Sequence, residues 1–136
     1  ARADRQPAHE GRAIDVPEVG RRHPTRRPRR VLRGLAPLAG HSPALKLGPA
    51  WWFHDSPHGL MRFREQTTES AGLYNTVGSN EDTGGFLSTR PRHDAARRID
   101  CAYLARLVAE HRLAEDEAAE VAVDLAYRLP KRAYKL

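Results

Sequence analysis

The order of elements legible in this sequence is strand, helix, strand, helix, helix, the order of βα units from an α/β barrel, mostly helical and preceded by a disordered leader. Three observations predict it. A brief apolar run, Ala44-Leu45-Lys46-Leu47-Gly48, suits a buried parallel strand. The stretches after it carry apolar residues three and four apart, the helical spacing. The excess positive charge is confined to the first quarter, where no apolar period exists. With 136 residues the chain is one domain at most, well short of the roughly 250 residues of a complete (β/α)8 barrel.

Residues 1–34 hold 10 Arg, no Lys and four acids (Asp4, Glu10, Asp15, Glu18), a net +6, whereas the remainder holds 13 basic and 13 acidic residues. The stretch from Gly20 to Arg30 has no apolar face and is interrupted by Pro24 and Pro28, so residues 1–34 are expected to be disordered. Arg, Pro, Ala, Gly and His are also what GC-rich coding sequence yields out of frame. The segment therefore reads as a misframed or unrelated leader, a plain linker, or an arginine-rich arm for nucleic-acid phosphates. A chain that begins at Ala1 is further expected to be a cut or incomplete one.

The remaining elements follow in order. Leu35 to Gly40 suits the end of a short helix. Ser56 as N-cap and Pro57 at the first helical position open a helix to about Ala71 that stops at Gly72. Leu73 to Gly78 is expected to be the next strand, and Ser79 to Arg90 a polar loop. Pro91 opens a long helix to about Arg112, with Ile99, Tyr103, Leu104, Leu107 and Val108 on one side and Arg97, Asp100, Arg106 and Glu110 on the other. The acidic run Glu115-Asp116-Glu117 suits the start of a further helix through its dipole. Ala118, Val121, Ala122, Leu125 and Leu129 form that helix's inner face, and Pro130 is expected to interrupt it.

Composition excludes several chemistries. Cys101 is the single cysteine, so neither an internal disulfide nor a cysteine zinc cluster can form, and a cytoplasmic setting is expected. Cys101 itself reads as a small core residue. No run approaches about 18 apolar residues, and no secretory signal is legible. His54 and His58 are four apart, but His54 precedes the helix start at Ser56, so the spacing does not make a metal pair.

In a (β/α)8 enzyme the reacting groups lie in loops after the C-terminal ends of strands. Trp51 and Trp52 follow the first inferred strand here and Asp82 the second. Taken alone, adjacent tryptophans more often pack in a core or interface, and Asp82 would most often be a turn residue. A set of separated motifs, all in order, alters that reading: Trp51-Trp52-Phe53-His54-Asp55, Asp82-Thr83-Gly84-Gly85-Phe86-Leu87-Ser88, His93 with Arg97-Arg98, Cys101-Ala102-Tyr103-Leu104, and Lys131-Arg132-Ala133-Tyr134. Through these motifs, residues 35–136 resemble the C-terminal part of uronate (glucuronate) isomerase, of the amidohydrolase superfamily.

The resemblance implies the C-terminal βα units of a (β/α)8 TIM barrel over residues 35–136. It implies aldose–ketose isomerisation of D-glucuronate to D-fructuronate, and of galacturonate to tagaturonate, an intramolecular oxidoreduction through a cis-enediol. A divalent metal, zinc by expectation, accompanies the intact enzyme. Trp51 and Trp52 would wall the sugar, and Asp82 would be the strand-eight aspartate, a metal ligand or proton-handling group. The sequence departs from the family's Asp-x-Arg motif at Gly84, which removes a planar bidentate donor for the uronate carboxylate. Such a loss typically costs about 2–5 kcal/mol when the pair is buried. The family's paired histidines belong to the preceding part of the barrel, so this chain alone is expected to be inactive and without a cofactor. The expected partners are the uronate in the intact enzyme and a second copy through self-association, with no membrane. The alternatives are an arginine-rich nucleic-acid-binding protein, with Trp51 and Trp52 as stacking surfaces, and a pseudoenzyme or structural fragment.

Overall fold

Helix formation begins at a proline. The computed structural model describes residues 12–14, 28–48, 54, 56–79 and 85–136. In it α1 (Pro28–His41) has Pro28 as its first residue, where the absent N–H and fixed φ are tolerated. The helix starts inside the segment expected to be disordered through residue 34, and a short strand, β1 (Arg12–Ile14), lies upstream of it. The physical reason is a stripe that crosses the assumed boundary: Leu32, Ala36 and Ala39, spaced four and three apart, are each 1% exposed or less.

The parallel strand β2 (Leu45–Leu47) lies where expected and pairs with β1 in the register Arg12↔Leu45, Ala13↔Lys46, Ile14↔Leu47. Leu47 also bridges Thr76 in parallel, and its carbonyl accepts the Val77 N–H at 2.9 Å. The strand expected over Leu73–Gly78 shrinks to that bridge, because Leu73–Asn75 is a 3₁₀ turn. Local side chains hold the turn: Asn75 Nδ2 donates to the Ala71 carbonyl at 2.7 Å and Thr76 Oγ1 to the Leu73 carbonyl at 3.0 Å. Such bonds compete with extended backbone.

Helix α2 (Pro57–Ala71) matches its signals, with Ser56 Oγ accepting the Gly59 N–H at 3.0 Å and Gly72 closing it at φ 77°. It packs so near α1 that a Cβ on Gly40 would overlap the Ser70 carbonyl. Helix α3 (Thr89–Ala109) starts before Pro91 and ends short of Arg112. Its end is set by His111, which turns left-handed at φ 55° while His111 N–H donates to Val108 and Arg112 N–H to Leu107, each at 2.9 Å.

Tyr103, Leu104 and Leu107 on α3 are buried, and Leu104 packs with Ala118, Val121, Leu125 and Leu129 of the C-terminal helices, as the periodicity predicts. Two residues of α3 depart from it. Asp100 is buried and Cys101 is exposed, because the buried stripe runs Asp100, Tyr103, Leu104, Leu107, the i, i+3, i+4, i+7 positions of one face.

Helix α4 (Glu115–Val123) is not broken by Pro130. It widens through a π turn at Asp124–Arg128 and continues as α5 (Leu129–Tyr134). In that turn the Leu129 N–H reaches back five residues to the Asp124 carbonyl. The next donor in the same register would be Pro130, which has no N–H, so the Leu125 carbonyl is left without a helical donor. The Ser79 N–H supplies one at 2.7 Å.

Candidate functional site

The segments bearing the two principal motifs start from neighbouring parallel backbone. One follows β2 and the other follows the Thr76 bridge. Gly78 and Ser79 end the second run. Gly78 has φ 80°, and a Cβ there would overlap the Leu125 carbonyl and lie 2.7 Å from Pro130 Cδ. Only glycine lets the strand end approach the π turn closely enough for Ser79 to bond Leu125.

The Ser79 side chain is fixed as firmly as its backbone. Its Oγ donates to Asp100 Oδ2 at 2.7 Å, and the same carboxylate accepts from Arg64 Nε at 2.5 Å and Arg64 Nη2 at 2.7 Å. Arg64, Asp100 and Ser79 are all buried, at 6%, 6% and 9% exposure. The charge of Asp100 is thus neutralised by a bidentate guanidinium, which leaves one oxygen able to orient a hydroxyl. The preceding α2 residue, Phe63, packs on the first motif segment: its ring centroid lies 6.0 Å from that of buried His54. Adjacent residues of one helix therefore reach His54 directly and Ser79 through Asp100.

A second polar group braces the 3₁₀ turn from below. Tyr74 Oη donates to Asp124 Oδ2 at 2.9 Å, Arg128 pairs with Asp124 at 2.8 Å, and Lys46 Nζ donates to the Tyr74 carbonyl at 3.1 Å and Asn75 Oδ1 at 2.8 Å. The Tyr74 hydroxyl, and then Arg128, hold the Asp124 carboxyl below its ordinary 3.8, while burial and then Arg132 lower the Lys46 ammonium from 10.5. His93 is half-buried, and burial followed by nearby Arg97 lowers its imidazole from 6.5.

Trp51, Trp52, Asp82 and Gly84 lie outside the described residues. Sequence reasoning missed Arg64, Ser79 and Asp100. A signal was available for Asp100, since it shares the 3–4 spacing of Tyr103, Leu104 and Leu107; none marked its partners. Among the described residues no three His, Cys, Asp or Glu side chains cluster to hold a metal ion, so these residues alone do not fit one. No described helix is long and apolar enough to cross a membrane.

A family model described as "Glucuronate isomerase" matches residues 38–134. The chain belongs to this family. It is 77% identical over 104 residues to the uronate isomerase of Phenylobacterium zucineum and 75% identical over 104 residues to that of Xanthomonas campestris pv. campestris. Each alignment covers 76% of this chain but 22% of the relative, so the chain is a fragment set against these uronate isomerases. The crystal structure of glucuronate isomerase from Caulobacter crescentus superposes with a TM-score of 0.73 at 70% identity, over 76% of this chain and 22% of that one. Uronate isomerase from Thermotoga maritima does so with a TM-score of 0.72 at 27% identity, over 76% and 23%. The match to glucuronate isomerases accounts for most of the chain beyond the arginine-rich leader, and it lends no support to the nucleic-acid-binding alternative.

Proposed function

We propose that this chain is the C-terminal portion of a uronate isomerase (β/α)8 barrel and contributes one wall and one carboxylate to a site completed by the preceding portion. The observation that carries the reading is the parallel bridge between Leu47 and Thr76. It starts the segments containing Trp51-Trp52 and Asp82 from neighbouring parallel backbone, the arrangement that gathers loops into a barrel active site.

The reaction is the conversion of D-glucuronate to D-fructuronate, and of galacturonate to tagaturonate, with transfer of the C2 proton to C1 through a cis-enediol. Such a transfer needs a base within hydrogen-bond reach and donors for the developing enediolate. Asp82 is the acid–base or ligand group in this reading, and Trp51 and Trp52 face the sugar. The histidine donors for a divalent metal, zinc in this reading, would come from the preceding portion. Gly84 leaves the substrate carboxylate without its arginine, so binding is weak even in the completed barrel.

The test mixes the full chain with the separately expressed portion of the Phenylobacterium zucineum enzyme that lies outside the match, adds zinc, and follows conversion of glucuronate. No turnover is expected from the chain alone, turnover is expected from the mixture, and Asp82→Asn should abolish it. Gly84→Arg should raise kcat/KM at least tenfold, as about 2 kcal/mol or more of regained carboxylate pairing requires. Turnover by the chain alone, or none from the mixture, would overturn the reading.

A further inference from the structure

We propose that Asp100 is a positioning residue of the isomerase site, holding through Ser79 the backbone from which the Asp82 segment starts. The proposal rests on the reading of Asp82 given above. Ser79 stands three positions before Asp82 and is gripped twice: its N–H by the Leu125 carbonyl at 2.7 Å and its Oγ by Asp100 at 2.7 Å. These anchors belong to different elements, the π turn and α3, so together they define both where the strand ends and how its last residue is rotated.

The arrangement exceeds what helix packing alone requires. A buried ion pair is a poor source of stability, and well-packed apolar side chains commonly replace one without loss. Arg64 and Asp100 could in that case be any apolar pair joining α2 to α3. An apolar pair cannot, however, accept the Ser79 hydroxyl. The carboxylate is the one group at this point that can pair with Arg64 and orient Ser79 simultaneously, and the bidentate guanidinium fixes it in plane. Arg64 is accordingly the support of the positioning residue, and its neighbour Phe63 packs on His54 beside the other motif segment. A 1 Å displacement of a catalytic group far from the substitution can cost two orders of magnitude in rate, so a rotation at Ser79 would be felt at Asp82.

The experiment uses the full chain, alone and with the N-terminal portion described above, and compares wild type, Ser79→Ala and the double variant Arg64→Met with Asp100→Leu. Three quantities are read: the melting temperature, amide exchange at Ser79, and kcat and KM of the completed enzyme. The double variant is expected to melt close to wild type. Its Ser79 exchange should nevertheless rise about ten- to a hundredfold, the loss associated with one charge-assisted hydrogen bond. Both Ser79→Ala and the double variant should lower kcat at least tenfold with KM within about threefold of wild type, the signature of a misplaced reacting group rather than weakened binding. Wild-type exchange at Ser79 together with wild-type kcat in the double variant would overturn the proposal. A fall in kcat that merely follows loss of folded protein would overturn it too. If the wild-type mixture shows no turnover, the isomerase reading fails and this role with it, while the exchange data still report whether Asp100 anchors Ser79.

Discussion

Gly78→Ala tests the contact on which the strand end, the π turn and the Ser79 anchor all depend. The substitution places a Cβ at a residue with φ 80°, a conformation that costs an L-residue roughly 1–2 kcal/mol. It also drives that Cβ into the Leu125 carbonyl and to 2.7 Å from Pro130 Cδ, neither of which is the free end of a flexible side chain. The chain must then separate from the π turn, and the Ser79 N–H to Leu125 bond is lost, at about 1 kcal/mol net. The sum is a destabilisation of about 2–3 kcal/mol, a large share of the roughly 5–15 kcal/mol typical of a folded domain. In a chain of this length it should lower the melting temperature by roughly 10 °C. Urea unfolding followed by circular dichroism measures it directly. Gly34→Ala is the control of opposite sign: it lies within α1 with nothing within 4 Å of the new Cβ, and should stabilise by up to about 1 kcal/mol. Combining Gly78→Ala with Pro130→Ala removes the ring from the collision and should recover part of the loss. A Gly78→Ala variant within 0.5 kcal/mol of wild type, measured to about that precision, would refute the close-approach argument.

Three further outcomes are expected. His111→Gly should stabilise by about 0.5–1 kcal/mol, because His111 occupies the left-handed position that closes α3 and glycine adopts it without Cβ strain; a lower urea midpoint in this variant would count against it. Asp124 has its folded-state carboxyl below 3.8, so its contribution is fully present above that value and is lost as pH falls through the lowered one. An acid titration of stability should therefore be shallower below pH 3.8 in Asp124→Asn than in wild type, and parallel curves would show that Tyr74 and Arg128 do not hold the carboxylate as drawn. Leu87, Val123, Tyr127 and Leu136 are 50% or more exposed, so the chain alone should self-associate in sedimentation and lose that tendency when the remaining portion of the Phenylobacterium zucineum enzyme is added. A monomer with a sharp melt that ignores that portion would speak for an independent small domain.

Family membership was legible in short motifs because each is read from consecutive residues, without knowledge of the fold. Local structure was legible where one segment decides it alone. Ser56-Pro57 opened α2, Gly72 closed it, and the spacing of Ala118, Val121, Leu125 and Leu129 placed the inner face of α4 and the turns after it. These outcomes depend on caps, φ preferences and periodicity within a few residues. Where the sequence reading failed, either local side-chain bonds to the backbone or a partner distant in sequence decided the outcome. Leu73–Gly78 has the composition of a strand, yet side-chain bonds to its own backbone and a single neighbour at Leu47 left only a bridge. Pro130 read as a stop, yet a wider turn and a donor from Ser79 let the helix continue. Asp100 read as solvent-facing because it is charged, yet Arg64, 36 positions earlier, makes its burial tolerable. Caps and stripes are properties of one segment, whereas satisfying a buried carboxylate or an orphaned carbonyl requires donors brought from elsewhere by folding. The sequence therefore determined the family and the helices, and the tertiary structure alone decided which charged and polar groups are buried together around the start of the Asp82 segment.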